Sequence, residues 1–433
     1  MTNKKRKINS SILIICILTV LVLLGFKLLT SNPSFWFKKS IHADALKYST
    51  RHCLVFYPKN KRGKEVAKQL AKECNEDRIY DYSLIPYGDY FYVSYGNGVG
   101  YFVDKDNNSL VINDVSDYGK RIIGDYLRYT IKKEKPDLYY DSKFLESTCV
   151  DKLDFSNVTY DIEDEYLKCY FPTYDINALV PLKYMQTELN MNFGFKDELY
   201  SKPIYIDTNH PVICLTFDDG PQFWYEPNES SSNNIVNTLY KYDVNATFYV
   251  VGECLDERDS WTDYQVYTFL KQSINNGNEY GSHTHYHDEL VNISSTDKIK
   301  ETISYPGEYL NDLLGYQMKT YRPPEGLIDD TVLSAQPYPA IFWDIDSEDW
   351  KSRDANVIYD KVLSYANENK LSDGDIILFH EIYDETAKAI EKIVPELVDR
   401  GYQLVTVSDM LKYLGIDVNN LSYYYNFIPP NYE

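Results

Sequence analysis

The sequence predicts an α/β protein: a parallel sheet wrapped by helices and curled into a barrel or near-barrel, preceded by a small α+β domain and an N-terminal membrane helix. Three observations carry this prediction. From about Pro203 onward, short apolar runs alternate with amphipathic helical segments. Five expected strand ends bring polar, titratable or aromatic groups to one rim, as expected where a parallel sheet gathers its chemistry at the carboxyl ends of its strands. At the other end of the chain, an apolar segment from Ile12 to Leu29 follows the basic stretch KKRK at Lys4 to Lys7.

That apolar segment is diluted only by Thr19, Gly25 and Lys27. It is near the lower limit of length for spanning a bilayer, and Lys27 can snorkel to the interface. Basic residues before it and few after it predict the N-terminus inside and the remainder outside. A cleaved signal peptide is the rival reading. The small-x-small site ADA at Ala43 to Ala45 lies far downstream, so a retained single-pass anchor over residues 1–29 is the expectation.

The formal net charge is -21, and the first 29 residues hold five basic and no acidic side chains, so the exported remainder is more acidic still. Such a surface repels nucleic acid and anionic headgroups. Six of seven cysteines lie outside the apolar segment. Cys53 with Cys74 and Cys149 with Cys169 could close local loops in an oxidising compartment, although spacing does not fix connectivity. Cys214, inside an apolar run, reads as a small core residue.

Residues 40–200 read as a small α+β domain of unknown role. GKEVAKQLAKEC (Gly63 to Cys74) has a helical period, and DYFYVSYGNGVGYFVDKDNNSLVIND reads as a meander. The division falls near Lys202-Pro203. Residues 203–415 then run VICLTF, NNIVNTLYKY, ATFYVVG, TDYQVYTFLKQSINN, STDKIKETISYPGEYLNDLLG, AIFWDID, ANVIYDKVLSYANEN, DIILFHE, TAKAIEKIVPELVDRG and QLVTVS, strand and helix in turn. Residues 416–433 read as an irregular tail.

The strand ends carry the chemistry. Asp218 and Asp219 close VICLTF just before Gly220-Pro221; YGSHTHYH presents His283, His285 and His287; YRPPEG carries Arg322 and Glu325; FWDIDSEDW ends with Asp349-Trp350; ILFHE ends with His380. An isolated Asp-Asp pair is by default a solvated turn. His283 and His287, four apart, share one face, and two imidazoles with one carboxylate form a common facial set for Zn²⁺ or a similar ion. His285 is a reserve ligand or polar lining.

TFDDG, HTHYH, RPPEG, DSEDW and LFH stand in the order and approximate spacing of the five motifs of the NodB-type polysaccharide deacetylases, carbohydrate esterase family 4, which includes peptidoglycan N-acetylglucosamine deacetylases. The resemblance spans roughly residues 211–414 and implies a distorted, incompletely closed (β/α) barrel of the NodB type. It also implies a divalent metal, zinc in most relatives, with cobalt, nickel or manganese as substitutes. By that resemblance Asp219, His283 and His287 hold the metal and Asp218 is the general base. Arg322 pairs with Asp218 and orients it, His380 is the acid that protonates the departing amine, and Asp349 tunes the acid and base pair. Trp350 and Leu378 wall the pocket for the acetyl methyl.

Two departures stand out. The third motif usually reads Arg-Pro-Pro-Tyr-Gly, and here Glu325 replaces the tyrosine; the backbone N–H used there as an oxyanion donor survives, while the new carboxylate bears on substrate contacts. The loop after Gly220-Pro221 is long, and its Phe223, Trp224 and Tyr225 form either a sugar-stacking lip or a hydrophobic staple. Glu381 stands where an aspartate is more usual. The resemblance implies removal of N-acetyl groups from an acetylated amino-sugar polymer at the outer face of the cell membrane, foremost peptidoglycan N-acetylglucosamine. O-deacetylation of a glycan such as xylan, or a silent wall-binding protein that keeps the fold, remain the alternatives.

Overall fold

In the computed structural model the described residues are 46–49, 53–57, 64, 68, 80–87, 90–95, 100–103 and, apart from 164, 186–187, 189–199, 224, 228 and 257–260, residues 115–425. The expected membrane segment lies outside them, as do the small-x-small site, Cys74 and Trp224. No helix among the described residues is long and apolar enough to cross a membrane. The described residues form two compact units, one within 1–123 and 155–198, the other within 124–154 and 199–433.

The first unit holds a five-stranded sheet in sequence order: β1 (Leu46–Ser49), β2 (Cys53–Tyr57), β3 (Tyr80–Tyr87), β4 (Tyr90–Tyr95) and β5 (Gly100–Val103). Of the meander read from the sequence, the antiparallel pair β4–β5 is present, and its continuation over 104–114 lies outside the described residues; β3, which precedes it, pairs antiparallel with β4. A separate antiparallel sheet joins β6 (Thr159–Glu163), β7 (Tyr166–Phe171) and β8 (Ile176–Pro181). Along β7 and β8 burial alternates, the signature of a sheet with one covered face. Cys169, on β7, is buried with a free thiol, and so is Cys149 of the second unit. Cys149 meets the Arg128 guanidinium at 3.0 Å.

The second unit is built on parallel strands. β9 (Val212–Asp218) is central, flanked by β10 (Thr247–Val250) and β11 (Glu279–Ser282) on one side and β14 (Ile376–His380) and β13 (Ile345–Asp346) on the other. β15 (Gln403–Leu404) pairs with the start of β9. Single bridges carry the sheet from Ser282 through Tyr321 to Ala340, in β12 (Ala340–Ile341). Every residue of β9 and β10 is buried, as required of strands covered on both faces. Phe217 stacks at 5.1 Å on Phe248 and at 5.5 Å on Phe379, which locks three strands together just below their carboxyl ends. Cys214 is core, as expected.

Two stretches fall differently from the division read in the sequence. The segment Gly124–Asp154 belongs to the second compact unit rather than to the first. The residues read as an irregular tail add β16 (Tyr423–Tyr424), paired in parallel with β12, because Tyr424 is buried in the core beside Val212 and Met410. An isolated Tyr-rich stretch carries no period to announce this.

Candidate active site

β9 and β14 run in register so that His380 stands opposite Asp218, and β10 places Tyr249 on the other side. The chain turns sharply after Asp218. Asp219 adopts φ 73°, and six of the nine described non-glycine residues with left-handed φ belong to these strand-end loops: Asp219, Thr284, His287, Glu325, Glu348 and Arg353. Such conformations cost about 1–3 kcal/mol each and persist where surrounding structure imposes them.

Asp218 is buried, and its Oδ1 accepts a hydrogen bond from Arg322 at 2.8 Å. Arg322 is fully buried with its donors distributed among Thr216 Oγ1, the carbonyls of Ile341 and Phe342, and Asp218. Its guanidinium also lies 4.4 Å from the centre of the Tyr249 ring. A charged group this deep is tolerable only when paired and hydrogen-bonded, and both conditions hold.

Asp219, His283 and His287 converge, with one candidate ligand atom from each lying within 4.8 Å of the others. Nε2 of both histidines is 3.4 Å from Asp219 Oδ1, a buried oxygen with no hydrogen-bond donor among the described residues. His283 Nδ1 lies 2.8 Å from the carbonyl of Arg322, which can only accept, so Nδ1 carries the hydrogen and Nε2 offers a lone pair. Burial lowers the His283 pKa despite the neighbouring Asp218 and Asp219, so the ring is neutral at neutral pH. An orphaned carboxylate oxygen beside two imidazole nitrogens fits a divalent first-row cation such as Zn²⁺.

The loop is held from behind. Gly252 N and Glu253 N donate to the carbonyls of Thr284 and His285 at 3.0 and 2.8 Å. His285 is turned away from the ligand set: its ring stacks on Tyr305 at 3.5 Å and its Nε2 is 3.5 Å from Asp256. It is neither ligand nor reserve in this structure. A Cβ at Gly252 would meet Tyr305 at 2.6 Å, so this stack demands glycine there.

On the opposite side, His380 Nδ1 lies 2.8 Å from Oδ1 of Asp349, which is fully buried. Burial pushes the imidazole pKa down, but the hydrogen bond and charge of Asp349, aided by Asp219 and Asp218, outweigh it and raise the value to about 9. Thr386 donates to Asp349 Oδ2 at 2.7 Å. Thr386 and Thr216 escape sequence reasoning because a threonine in a helix or strand has no chemical signature until its partner is placed. Glu381 is buried and pushed up to about 8 by desolvation; it packs so tightly on Gly220 that a Cβ there would sit 2.0 Å from its Cδ.

Of the expected substrate contacts, Trp350 and Glu325 are exposed, with Glu325 at φ 58°, whereas Leu378 is buried on β14. Phe223, weighed as a lip residue, packs instead under the loop against Trp261 and Phe269.

The polysaccharide deacetylase family profile matches residues 205–338. Peptidoglycan-N-acetylmuramic acid deacetylase PdaC of Bacillus subtilis (strain 168) is 30% identical over 391 residues, covering 81% of this chain and 79% of its own length. The chain belongs to the polysaccharide deacetylase family. It is accordingly a hydrolase of carbohydrate esterase family 4. Peptidoglycan-N-acetylglucosamine deacetylase PgdA of Listeria monocytogenes serotype 1/2a (strain 10403S) is 32% identical over 198 residues, 46% of this chain, and the match spans 38% of that protein. The solved structure of PdaC from Bacillus subtilis aligns with 48% of this chain and 94% of its own at 35% identity, with a TM-score of 0.42. Family membership fits the strand-end placement of Asp218, Asp219, His283, His287, Arg322, Asp349 and His380.

Proposed function

We propose that this chain is a metal-dependent deacetylase that removes N-acetyl groups from the amino sugars of peptidoglycan, held at the outer face of the membrane by its N-terminal segment. The observation that carries the reading is the meeting of three lone-pair donors, Asp219 Oδ1 and Nε2 of His283 and His287, between a carboxylate–arginine pair and a carboxylate–histidine pair. The names of PdaC and PgdA, both peptidoglycan deacetylases, support the substrate.

Asp219, His283 and His287 would hold the cation, with zinc the first choice. When bound, a divalent cation lowers the pKa of a ligated water and polarises the acetamide carbonyl. Asp218, fixed by Arg322, accepts the proton of the attacking water. The backbone N–H of Glu325 is the candidate oxyanion donor. His380, charged through Asp349, gives a proton to the departing nitrogen as the carbon–nitrogen bond breaks, leaving acetate and a free amine on the sugar.

The test is acetate release from purified peptidoglycan and from N-acetylglucosamine oligomers by the zinc-loaded full chain, with Asp218→Asn alongside. Release by the parent and not by the variant is expected. No release from either polymer by a metal-loaded parent would turn the search to acetylated glycans such as xylan.

A further inference from the structure

Asp349 and Trp350 lie on one helical turn, Asp349–Ser352, bounded by two left-handed residues, Glu348 at φ 54° and Arg353 at φ 48°. Arg353 is exposed, yet it is held in place. Its Nε donates to the carbonyl of Trp350 at 3.3 Å, and its guanidinium carbon lies 3.3 Å from the centre of the Tyr383 ring. That ring is 5.8 Å from the ring of His380. One aromatic side chain therefore separates the guanidinium from the proposed acid.

No carboxylate among the described residues lies within ion-pair distance of Arg353, whereas its neighbours Lys351 and Lys361 are both paired with Glu348, at 3.9 and 3.7 Å. In a chain of net charge -21, a cation at the active-site rim without an acidic partner is out of keeping with its surroundings. Stacking on Tyr383 could by itself account for a bland structural role. Two features speak against it. The backbone strain at Arg353 and Glu348 is typical of residues held for a function. The terminal nitrogens make no hydrogen bond among the described residues, so the planar fork that matches a carboxylate is left open.

We propose that Arg353 binds a carboxylate of the substrate and so makes the site selective for an acetamido sugar that carries an acid group on the ring carbon next to the acetamide, the arrangement found in the muramic residues of peptidoglycan. This inference rests on the deacetylase reading and sharpens its substrate. Tyr383 touches Arg353 on one side and stands 5.8 Å from the His380 ring on the other, which puts the guanidinium about one sugar's breadth from the group that meets the amine. The acid has two possible sources: the free lactyl ether of a peptide-free strand, or the peptide attached to it.

The experiment measures acetate release by the zinc-loaded full chain and its Arg353→Gln and Arg353→Lys variants on three substrates. These are a neutral N-acetylglucosamine tetramer, amidase-stripped glycan strands with free lactyl carboxylates, and intact peptidoglycan. The ratio of kcat/KM on stripped strands to that on the tetramer is expected to fall about tenfold in Arg353→Gln, through KM, as suits loss of one charge-assisted pair. Arg353→Lys should recover part of it, and added salt should weaken the parent's preference. A fall on stripped strands assigns the lactyl carboxylate; a fall on intact peptidoglycan alone assigns the peptide. An unchanged ratio on both overturns the proposal. Should the parent release acetate from nothing, the deacetylase reading fails separately. Calorimetric titration of stripped strands into parent and Arg353→Gln then still decides the role of Arg353, equal affinities ruling it out.

Discussion

The carboxylate of Asp349 grips His380 twice: Oδ1 lies 2.8 Å from Nδ1 of the ring, and Oδ2 accepts the backbone N–H of the same residue at 2.7 Å. Ring and main chain are thus fixed by one buried group, leaving Nε2 as the nitrogen that can serve a substrate. Because the His380 pKa is raised from 6.5 to about 9, the imidazolium persists below that value and is lost as pH rises through it. The deacetylation rate should therefore fall on the alkaline side near pH 9. Asp349→Asn should draw this limb back toward the ordinary histidine range and lower kcat by about 10²–10⁴. A pH–rate profile of both enzymes checks it, and an alkaline limb that stays in place in the variant would show that Asp349 does not set it. By the same linkage, the His380–Asp349 pair stabilises the fold fully below pH 6.5 and loses that contribution as pH climbs to about 9.

Arg322→Ala should do more than remove an orienting group. It leaves Asp218 buried without its partner and three further acceptors unpaired. Breaking a buried pair in this way costs about 3–5 kcal/mol. The expected result is a chain with both a lowered Tm and little acetate release, while Asp218→Asn, which keeps the shape, loses about 10²–10⁴ in kcat with a much smaller change in Tm. Equal loss of stability in the two variants would count against the view that Arg322 is there chiefly to hold a charged base.

Metal removal offers a third check. Chelation should abolish acetate release, and added Zn²⁺ should restore it, with His283→Ala abolishing the high-affinity binding seen by calorimetry. Because burial holds the His283 ring neutral, proton competition at its own Nε2 begins below the usual histidine range, so His283's share in the pH dependence of metal affinity falls on the acid side of pH 6.5. Undiminished metal binding in His283→Ala would exclude this residue as a ligand.

The site was more legible in the sequence than the boundaries were. Asp218, Asp219 and His380 each follow an apolar run, so strand period alone puts them at one rim, and the spacing of His283 and His287 puts two imidazoles on one face; Arg322 follows no such run and is legible only through its Arg-Pro-Pro motif. His285 has the same local pattern as its neighbours, and only the stack on Tyr305, from a distant helix, removes it from the ligand set. Phe223 likewise could not be assigned to a lip or a core without knowing that Trp261 lies beneath it. Helices 124–154 carry no motif, and their allegiance depends on where one arginine finds its acceptors.

That arginine is Arg128, and it supports the last prediction. It is 1% exposed and donates to Thr148 Oγ1 at 3.0 Å and to the carbonyls of Leu145 and Tyr240 at 2.9 Å each. Asp243 lies 4.0 Å from it, takes Lys202 Nζ at 2.5 Å, and accepts from the Tyr139 hydroxyl at 3.0 Å. Burial pushes the Asp243 carboxyl upward, but Lys202 and Arg128 prevail and hold it below its usual value. Its contribution to stability is therefore present above pH 3.8 and lost as pH falls further. A chain beginning at Lys202, where the sequence suggested the catalytic domain starts, would leave Asp243 without Arg128 and Tyr139, at a cost of about 3–5 kcal/mol. For a unit of this size that is a Tm lower by roughly 6–20 °C than that of residues 115–433. Arg128→Ala in the longer chain should reproduce much of the drop, and matching melting curves for the two chain lengths would show that the 124–154 helices are dispensable to the deacetylase unit.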